Sequence, residues 1–300
     1  MPIRIANAPV SWGITESVDF PPEYPPGRVL DEIAEAGYSG TELGPHGFLP
    51  TDPAALRGAL ALRNLALSSA FVAFPLGSPG TRPGGLAHVD RTASLISSAG
   101  CRLLILSDEV CPERSAVAGR PEESNRRSWS EAEWKQAAES VREVVEHSQR
   151  FGLSVAFHHH VGTHVETREE IHRLFSLLPS EALGLCLDTG HCVYGGGDPL
   201  EMANQYGDRL LCVHLKDVDT DRLKEARRLQ RDFYAAVRHG VFARLGDGGV
   251  DLGGMLNHLR ARAFDGWVVV EQDVLAGGKG AAAPLANAVA GREALRRLGY

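Results

Sequence analysis

The chain has 300 residues, 43% hydrophobic and 23% charged, with a formal net charge of −7. These proportions belong to a folded globular protein and exclude a disordered chain, a fibrous repeat and a coiled coil, while the length suits two ordinary domains or one α/β barrel. An acidic chain is a poor ligand for phosphate backbones, and no apolar run approaches the roughly 18 residues of a membrane span, so neither a nucleic-acid nor a membrane partner is expected.

Residues 3–8 form the first predicted strand, followed by a Pro-rich loop and a helix over 28–36 that Gly37 ends. A second strand is expected at 40–43 and a helix at 53–63. Strand three covers 65–73; after a Gly/Pro loop at 75–85 come a helix at 88–99, ended by Gly100, and strand four at 102–107. Residues 109–127 read as polar and irregular. Ser130 is a predicted N-cap, with Glu131 and Glu133 in the first turn, where the helix dipole favours negative charge. That helix runs to about Arg150, with Val141, Val144 and Val145 at helical spacing. Strand five at 153–157 precedes a helix at 169–178, strand six at 183–187 a helix at 199–206. Strand seven at 210–215 is followed by a basic helical excursion over 221–238, a helix over 252–262, strand eight at 267–270 and a closing helix at 286–298. The Ala/Gly-rich stretch 276–283 is low-complexity and reads as a mobile loop.

Eight strands alternating with helices make a parallel α/β protein. The turn after the first strand, Pro9-Val10-Ser11-Trp12-Gly13, carries no dinucleotide fingerprint, which argues against a doubly wound sheet. The expectation is a (β/α)8 TIM barrel over residues 1–300 as a single domain. Such a barrel gathers its functional residues at the C-terminal ends of its strands.

Polar residues do collect at those positions. Strand two ends in Thr41-Glu42-Leu43-Gly44, strand five in Phe157-His158-His159-His160 and strand six in Asp188-Thr189-Gly190-His191. Strand seven ends in His214-Leu215-Lys216-Asp217 and strand eight in Glu271-Gln272-Asp273. Taken singly, each has an ordinary reading as a helix cap, a core histidine or a salt-bridge partner. Their shared topological position points to a common metal. Asp188, His214 and Glu271, with a further ligand from strand five, make a mixed oxygen and nitrogen set. That set suits Mn2+, Mg2+, Co2+ or Fe2+ and admits Zn2+. Alternation along strand five turns His158 and His160 into the barrel mouth and His159 toward the helices. Cys101, Cys111, Cys186, Cys192 and Cys212 form no Cys-x-x-Cys pair and read as reduced thiols of a cytoplasmic protein. No thiolate is expected to compete for the ion, because Cys186 and Cys192 flank the site off the ligand positions.

The runs His158-His159-His160-Val161-Gly162-Thr163, Asp188-Thr189-Gly190-His191, His214-Leu215-Lys216-Asp217 and Gly246-Asp247-Gly248 resemble those of the inosose dehydratase family. So do Gly240-Val241-Phe242 and, further on, Gly266-Trp267 with Glu271-Gln272-Asp273. That family lies among the xylose-isomerase-like barrels, which include sugar isomerases and ketose epimerases, and the resemblance spans nearly the whole chain. It implies a hydro-lyase of inositol catabolism that dehydrates 2-keto-myo-inositol to a trihydroxycyclohexane-1,2-dione. Epimerases usually carry a Glu at the end of strand five, where this chain has His158. The resemblance implies that Glu166, the nearest carboxylate, reaches back as the ligand beside Asp188, His214 and Glu271, with His158 the other candidate for that position. Glu42, His160, His191 and Lys216 become candidates for proton transfer. Trp12, His158 and Lys216 become candidates for substrate contact, Trp12 as an apolar wall against the ring. In the implied chemistry a divalent ion polarises the ketone, a base removes the adjacent proton and an acid protonates the departing hydroxyl. The expected partner is a small polyol or sugar ketone, and a homo-oligomer is open. Two other readings stand beside this one: a ketose isomerase or epimerase that returns the proton, and a barrel that binds without turnover.

Overall fold

The computed structural model describes residues 3–16, 23–78, 82–275, 278 and 283–300. Most of the stretch 276–283 expected to be a mobile loop lies outside the described residues, as do 17–22 of the Pro-rich loop and 79–81 of the Gly/Pro loop. Among the described residues, eight parallel strands build the central sheet. They are β1 (Arg4–Asn7), β2 (Gly40–Thr41), β3 in two segments (Ala66–Leu67 and Ala70–Phe74) and β4 (Leu103–Asp108). β5 (Ser154–His158), β6 (Gly184–Asp188), β7 (Leu210–Leu215) and β8 (Trp267–Val270) complete it.

β1 pairs with β2 on one side and β8 on the other, and pairing continues from β8 through β7, β6 and β5 to β4. The first segment of β3 pairs with β2 and the second with β4. Only Ser68 and Ser69 separate the two segments. The ring therefore closes through one strand that changes partner at its middle, and the Ser68 N–H still donates to the Thr41 carbonyl at 2.9 Å.

The predicted strands lie within a residue or two of the observed ones. Ser130 caps the helix Glu131–Gln149 in a reciprocal capping box with Glu133, as the sequence indicates. Several features differ. The segment read as irregular contains two short helices, Pro112–Ser115 and Pro121–Arg126. The basic excursion is two helices, Thr220–Arg228 and Phe233–Arg238, separated near Gln230, whose φ of 50° is left-handed. A 3-10 turn (Pro9–Trp12) follows β1 and a helix (Thr189–Tyr194) follows β6; both are too short to leave a periodic signal. No helix among the described residues is long and apolar enough to cross a membrane.

Alternation along the strands sorts the core into two layers. Val155 and Phe157 of β5, Leu185 and Leu187 of β6, Val213 and Leu215 of β7, and Val268 and Val270 of β8 pack under the helices. Their neighbours Ala156, Cys186, Cys212 and Val269 fill the barrel interior with Ala6, Ala8, Ile105 and Trp267. Trp267 covers the barrel floor against Gly40, where a Cβ would come 2.8 Å from the indole, so β2 needs glycine there. Two residues beyond each interior residue, the same inward face carries His158, Asp188, His214 and Glu271. The apolar register thus sets the direction of the polar residues above it.

Candidate active site

The inward faces open into a cavity of about 800 Å³ lined by Glu42, His158, His160, His191, His214, Lys216, Glu271 and Asp273 among others. Asp188 and His214 lie opposite each other in the β6–β7 register. His214 stands at the centre of the carboxylates. Its Nε2 is 3.1 Å from Glu42 Oε1, and its Nδ1 is 3.3 Å from Glu271 Oε2 and 3.9 Å from Asp188 Oδ2. Ser69, at the partner change in β3, donates its hydroxyl to the same Glu42 oxygen at 2.7 Å. His158 Nε2 faces Asp188 Oδ2 at 3.4 Å. Ligand atoms of Glu42, His214 and Glu271 fall within 4.8 Å of one another, as do those of His158, Asp188 and His214.

A second group borders the first. The Lys216 ammonium is 3.1 Å from Asp188 Oδ2, 3.1 Å from Glu271 Oε2 and 2.7 Å from Asp273 Oδ1. Its stem passes over Gly190, where a Cβ would approach Lys216 Cγ to 2.7 Å. Thr189 Oγ1 donates to the Lys216 carbonyl at 2.7 Å and accepts the Lys216 N–H at 2.9 Å, fixing the ends of β6 and β7 together. Asp273 Oδ2 is 3.4 Å from His191 Nε2, and the His191 and His160 rings lie 3.9 Å apart.

Burial sets the charge states here, and the neighbours decide them. Burial alone would raise the Asp188 carboxyl, but Lys216, then His191 and His158, outweigh it and hold the pKa well below the carboxylate range. Glu271 is held at about 2 against burial by His214 and Lys216. Burial opposes a charge on His214 and on Lys216. Cys186, Glu271 and Glu42 overcome it for His214, and Asp188, Asp273 and Glu271 for Lys216, so both pKa values lie well above the ordinary ones. His160 and His191 go the other way. Burial, reinforced by His191 for the one and Lys216 for the other, keeps both imidazoles neutral.

Their tautomers follow from the backbone. His160 Nδ1 lies 2.7 Å from the Val161 carbonyl, which can only accept, so Nδ1 carries the proton and Nε2 the lone pair. The Val161 N–H donates to His191 Nδ1 at 3.2 Å, so Nε2 carries the proton there.

The donor chemistry of the first group fits a divalent cation. Carboxylates converge on one imidazole, and among the described residues its buried Nδ1, 3.3 Å from Glu271 Oε2, makes no well-directed hydrogen bond.

The structure relocates several residues. Glu166 is not among the converging ligands. Its Oε1 accepts from the Gly119 N–H at 2.8 Å and the Ser124 hydroxyl at 3.3 Å, and its Oε2 from the Gly162 N–H at 2.8 Å. It pins the loop after β5, and Glu42, arriving from β2, takes the place in the donor group expected of it. Trp12 is not a wall of the cavity. It is buried, and its indole donates to Glu32 Oε2 at 2.6 Å, packing the first helix (Pro26–Glu35) against the barrel. His159 faces away from the mouth and accepts the Asp188 N–H at 3.3 Å. Cys186 flanks the site as expected, and it is Cys212 that joins it there, the two sulfurs lying within 4.8 Å of each other and of a His214 ring nitrogen. Asp217, beside Lys216, accepts from the N–H groups of Gly246 and Gly248 at 2.9 Å each, so the Gly-Asp-Gly run is a turn wrapped around a buried carboxylate. Asp273 and Ser69 lacked an assigned role. Alternation from Glu271 marks Asp273, whereas nothing local marks Ser69.

Glu166→Gln should therefore leave the bound-metal stoichiometry unchanged and lower stability. The amide nitrogen would face a backbone donor, leaving a buried N–H unsatisfied at about 1–3 kcal/mol. Metal analysis and a melting curve of the variant check both halves; loss of metal with unchanged melting would return Glu166 to the ligand set.

Comparison with known proteins adds four findings. Residues 30–298 match the family model described as a xylose isomerase-like TIM barrel. The chain is 34% identical over 272 residues to an inosose dehydratase of Geobacillus kaustophilus (strain HTA426), covering 91% of this chain and 88% of the relative. It is also 34% identical over 307 residues to the rhizopine catabolism protein MocC of Rhizobium meliloti, covering 99% and 89%. Among solved structures it resembles the IOLI protein with a binding zinc atom, with a TM-score of 0.71 at 14% identity, over 99% of this chain and 98% of the other. The last likeness is one of fold.

Proposed function

The chain belongs to the inosose dehydratase family of xylose isomerase-like TIM barrels, and from that membership we propose that it is the hydro-lyase that converts 2-keto-myo-inositol to a trihydroxycyclohexane-1,2-dione in inositol catabolism. The observation that carries this reading is one cavity with two poles. A carboxylate and imidazole donor group lies at one, and a separate group with a base and an acid at the other.

Glu42, Asp188, His214 and Glu271 are the residues that would hold a divalent ion, Mn2+ or Co2+ on this reading. When bound, such an ion supplies Lewis-acid polarisation of the ketone oxygen. The rest falls to the chain. The carbon next to the ketone loses its proton, the β-hydroxyl leaves as water, and the resulting enol tautomerises to the 1,2-diketone. The His160 Nε2 lone pair suits removal of the proton. His191 Nε2–H, 3.4 Å from Asp273 Oδ2, suits delivery of its own proton to the departing oxygen, with the proton taken up by the adjacent His160 ring restoring it. Lys216, charged and anchored by Asp273, orients a substrate hydroxyl, and His158 borders the same space. An epimerase returns the proton to carbon; an elimination needs an acid beside the leaving oxygen, the place His191 suits. Free cysteines fit a cytoplasmic enzyme.

Incubated with 2-keto-myo-inositol and Mn2+ or Co2+, the protein should form an ultraviolet-absorbing diketone. Chelation should abolish that activity and lower the melting temperature by roughly 5–10 °C, since an ion at a hundredfold excess over Kd stabilises a folded protein by about 2.7 kcal/mol. An epimeric product without absorbance would replace the lyase reading, and full activity after exhaustive chelation would remove the ion from it.

A further inference from the structure

Cys186 and Cys212 face each other across β6 and β7, buried in the barrel interior. Each lies two residues before a residue of the donor group, Cys186 before Asp188 and Cys212 before His214, so all four share the inward face. Both thiols are free, and their sulfurs and a ring nitrogen of His214 lie within 4.8 Å of one another. Among the described residues the buried Nδ1 of His214 makes no well-directed hydrogen bond, although Glu271 Oε2 lies 3.3 Å away. Two sulfurs and an imidazole form a donor set for soft and borderline ions, whereas the carboxylates above them suit hard ones.

We propose that Cys186, Cys212 and His214 form a second metal site, selective for thiophilic ions such as Cd2+ or Zn2+, beneath the carboxylate group. His214 belongs to both sets, so an ion held by the sulfurs withdraws it from the carboxylates, and the site is inhibitory. His214 lines the cavity, and an ion entering there meets it before the sulfurs. Binding forms two metal–sulfur bonds and one metal–nitrogen bond and releases both thiol protons to solvent.

Cd2+ titrated into the metal-free full-length protein should produce thiolate-to-cadmium charge-transfer absorption in the ultraviolet, saturating at one ion per chain. Cys186→Ser and Cys212→Ser should each weaken that band, one thiolate being left, and bind Cd2+ at least about tenfold more weakly, a loss that even outer partners of a metal site produce. In turnover assays Cd2+ should inhibit the unmodified protein at lower concentration than either variant, each compared with its own Mn2+ rate. The absorption and affinity measurements need no substrate and stand apart from the dehydratase reading. Cadmium-113 resonance of the unmodified protein needs no variant at all. A shift typical of mixed sulfur and nitrogen donors supports the site, and an all-oxygen shift overturns it. Absence of the band in the unmodified protein, or an undiminished band in both serine variants, overturns it too.

Discussion

Replacing Asp188 by asparagine should lower turnover by at least about a hundredfold and abolish tight binding of a divalent cation, while the protein remains folded. The two oxygens of this residue have separate tasks. Oδ1 accepts the His191 N–H at 2.7 Å and caps the helix Thr189–Tyr194, and asparagine caps as well as aspartate. Oδ2 faces His158, His214 and Lys216, and there the charge itself matters. Burial disfavours that charge, yet Lys216 and His191 hold the carboxyl well below its ordinary pKa. A carboxyl depressed on folding contributes stability that is present above the ordinary carboxylate range and is lost as the pH falls through the folded value. Metal content, the steady-state rate and a melting curve separate the two tasks. Asp188→Ala should add the loss of the cap, about 1 kcal/mol, to the loss of the ion. Asp188→Asn protein with full metal occupancy and a normal rate would take Asp188 out of the donor group.

Lys216→Met should have the largest effect on stability at the site. The ammonium is buried among Asp188, Glu271 and Asp273. Its own desolvation opposes the charge, and the three carboxylates overcome it. Removing the cation leaves buried carboxylates facing one another, a situation that costs about 3–5 kcal/mol. For a chain of this length the melting temperature should fall by roughly 10 °C. A divalent cation should then recover more of the melting temperature in the variant than in the unmodified protein, because it offsets a repulsion that Lys216 otherwise neutralises. The comparison is two pairs of melting curves, with and without Mn2+. Equal recovery in both proteins would mean that Lys216 does not share the charge balance of the donor group.

Local pattern alone determines most of the architecture. The strands are short apolar runs with period-two alternation, bounded by glycine and polar residues. The residues at their C-terminal ends point inward because alternation continues from Ala156 to His158, from Cys186 to Asp188, from Cys212 to His214 and from Val269 to Glu271. The directions of His158, Asp188, His214, Lys216 and Glu271 are thus properties of the sequence.

What only the tertiary structure decides is which residues meet from strands distant in the chain. Glu42 and His214 are separated by 172 positions and touch because the barrel closes through the divided strand β3, whose Ser69 aims Glu42 at the site. Glu166 looks like a ligand by its type and its nearness to strand five. The loop it occupies folds so that the Gly119 and Gly162 N–H groups claim both of its oxygens. Trp12 lies among loop residues that line the mouth, yet its indole reaches down to Glu32. Cys186 meets Cys212 only because β6 and β7 are in register. Alternation fixes the direction of a side chain relative to its own strand, but the partner it reaches depends on how strands and loops stack around a closed ring, and no local pattern encodes that.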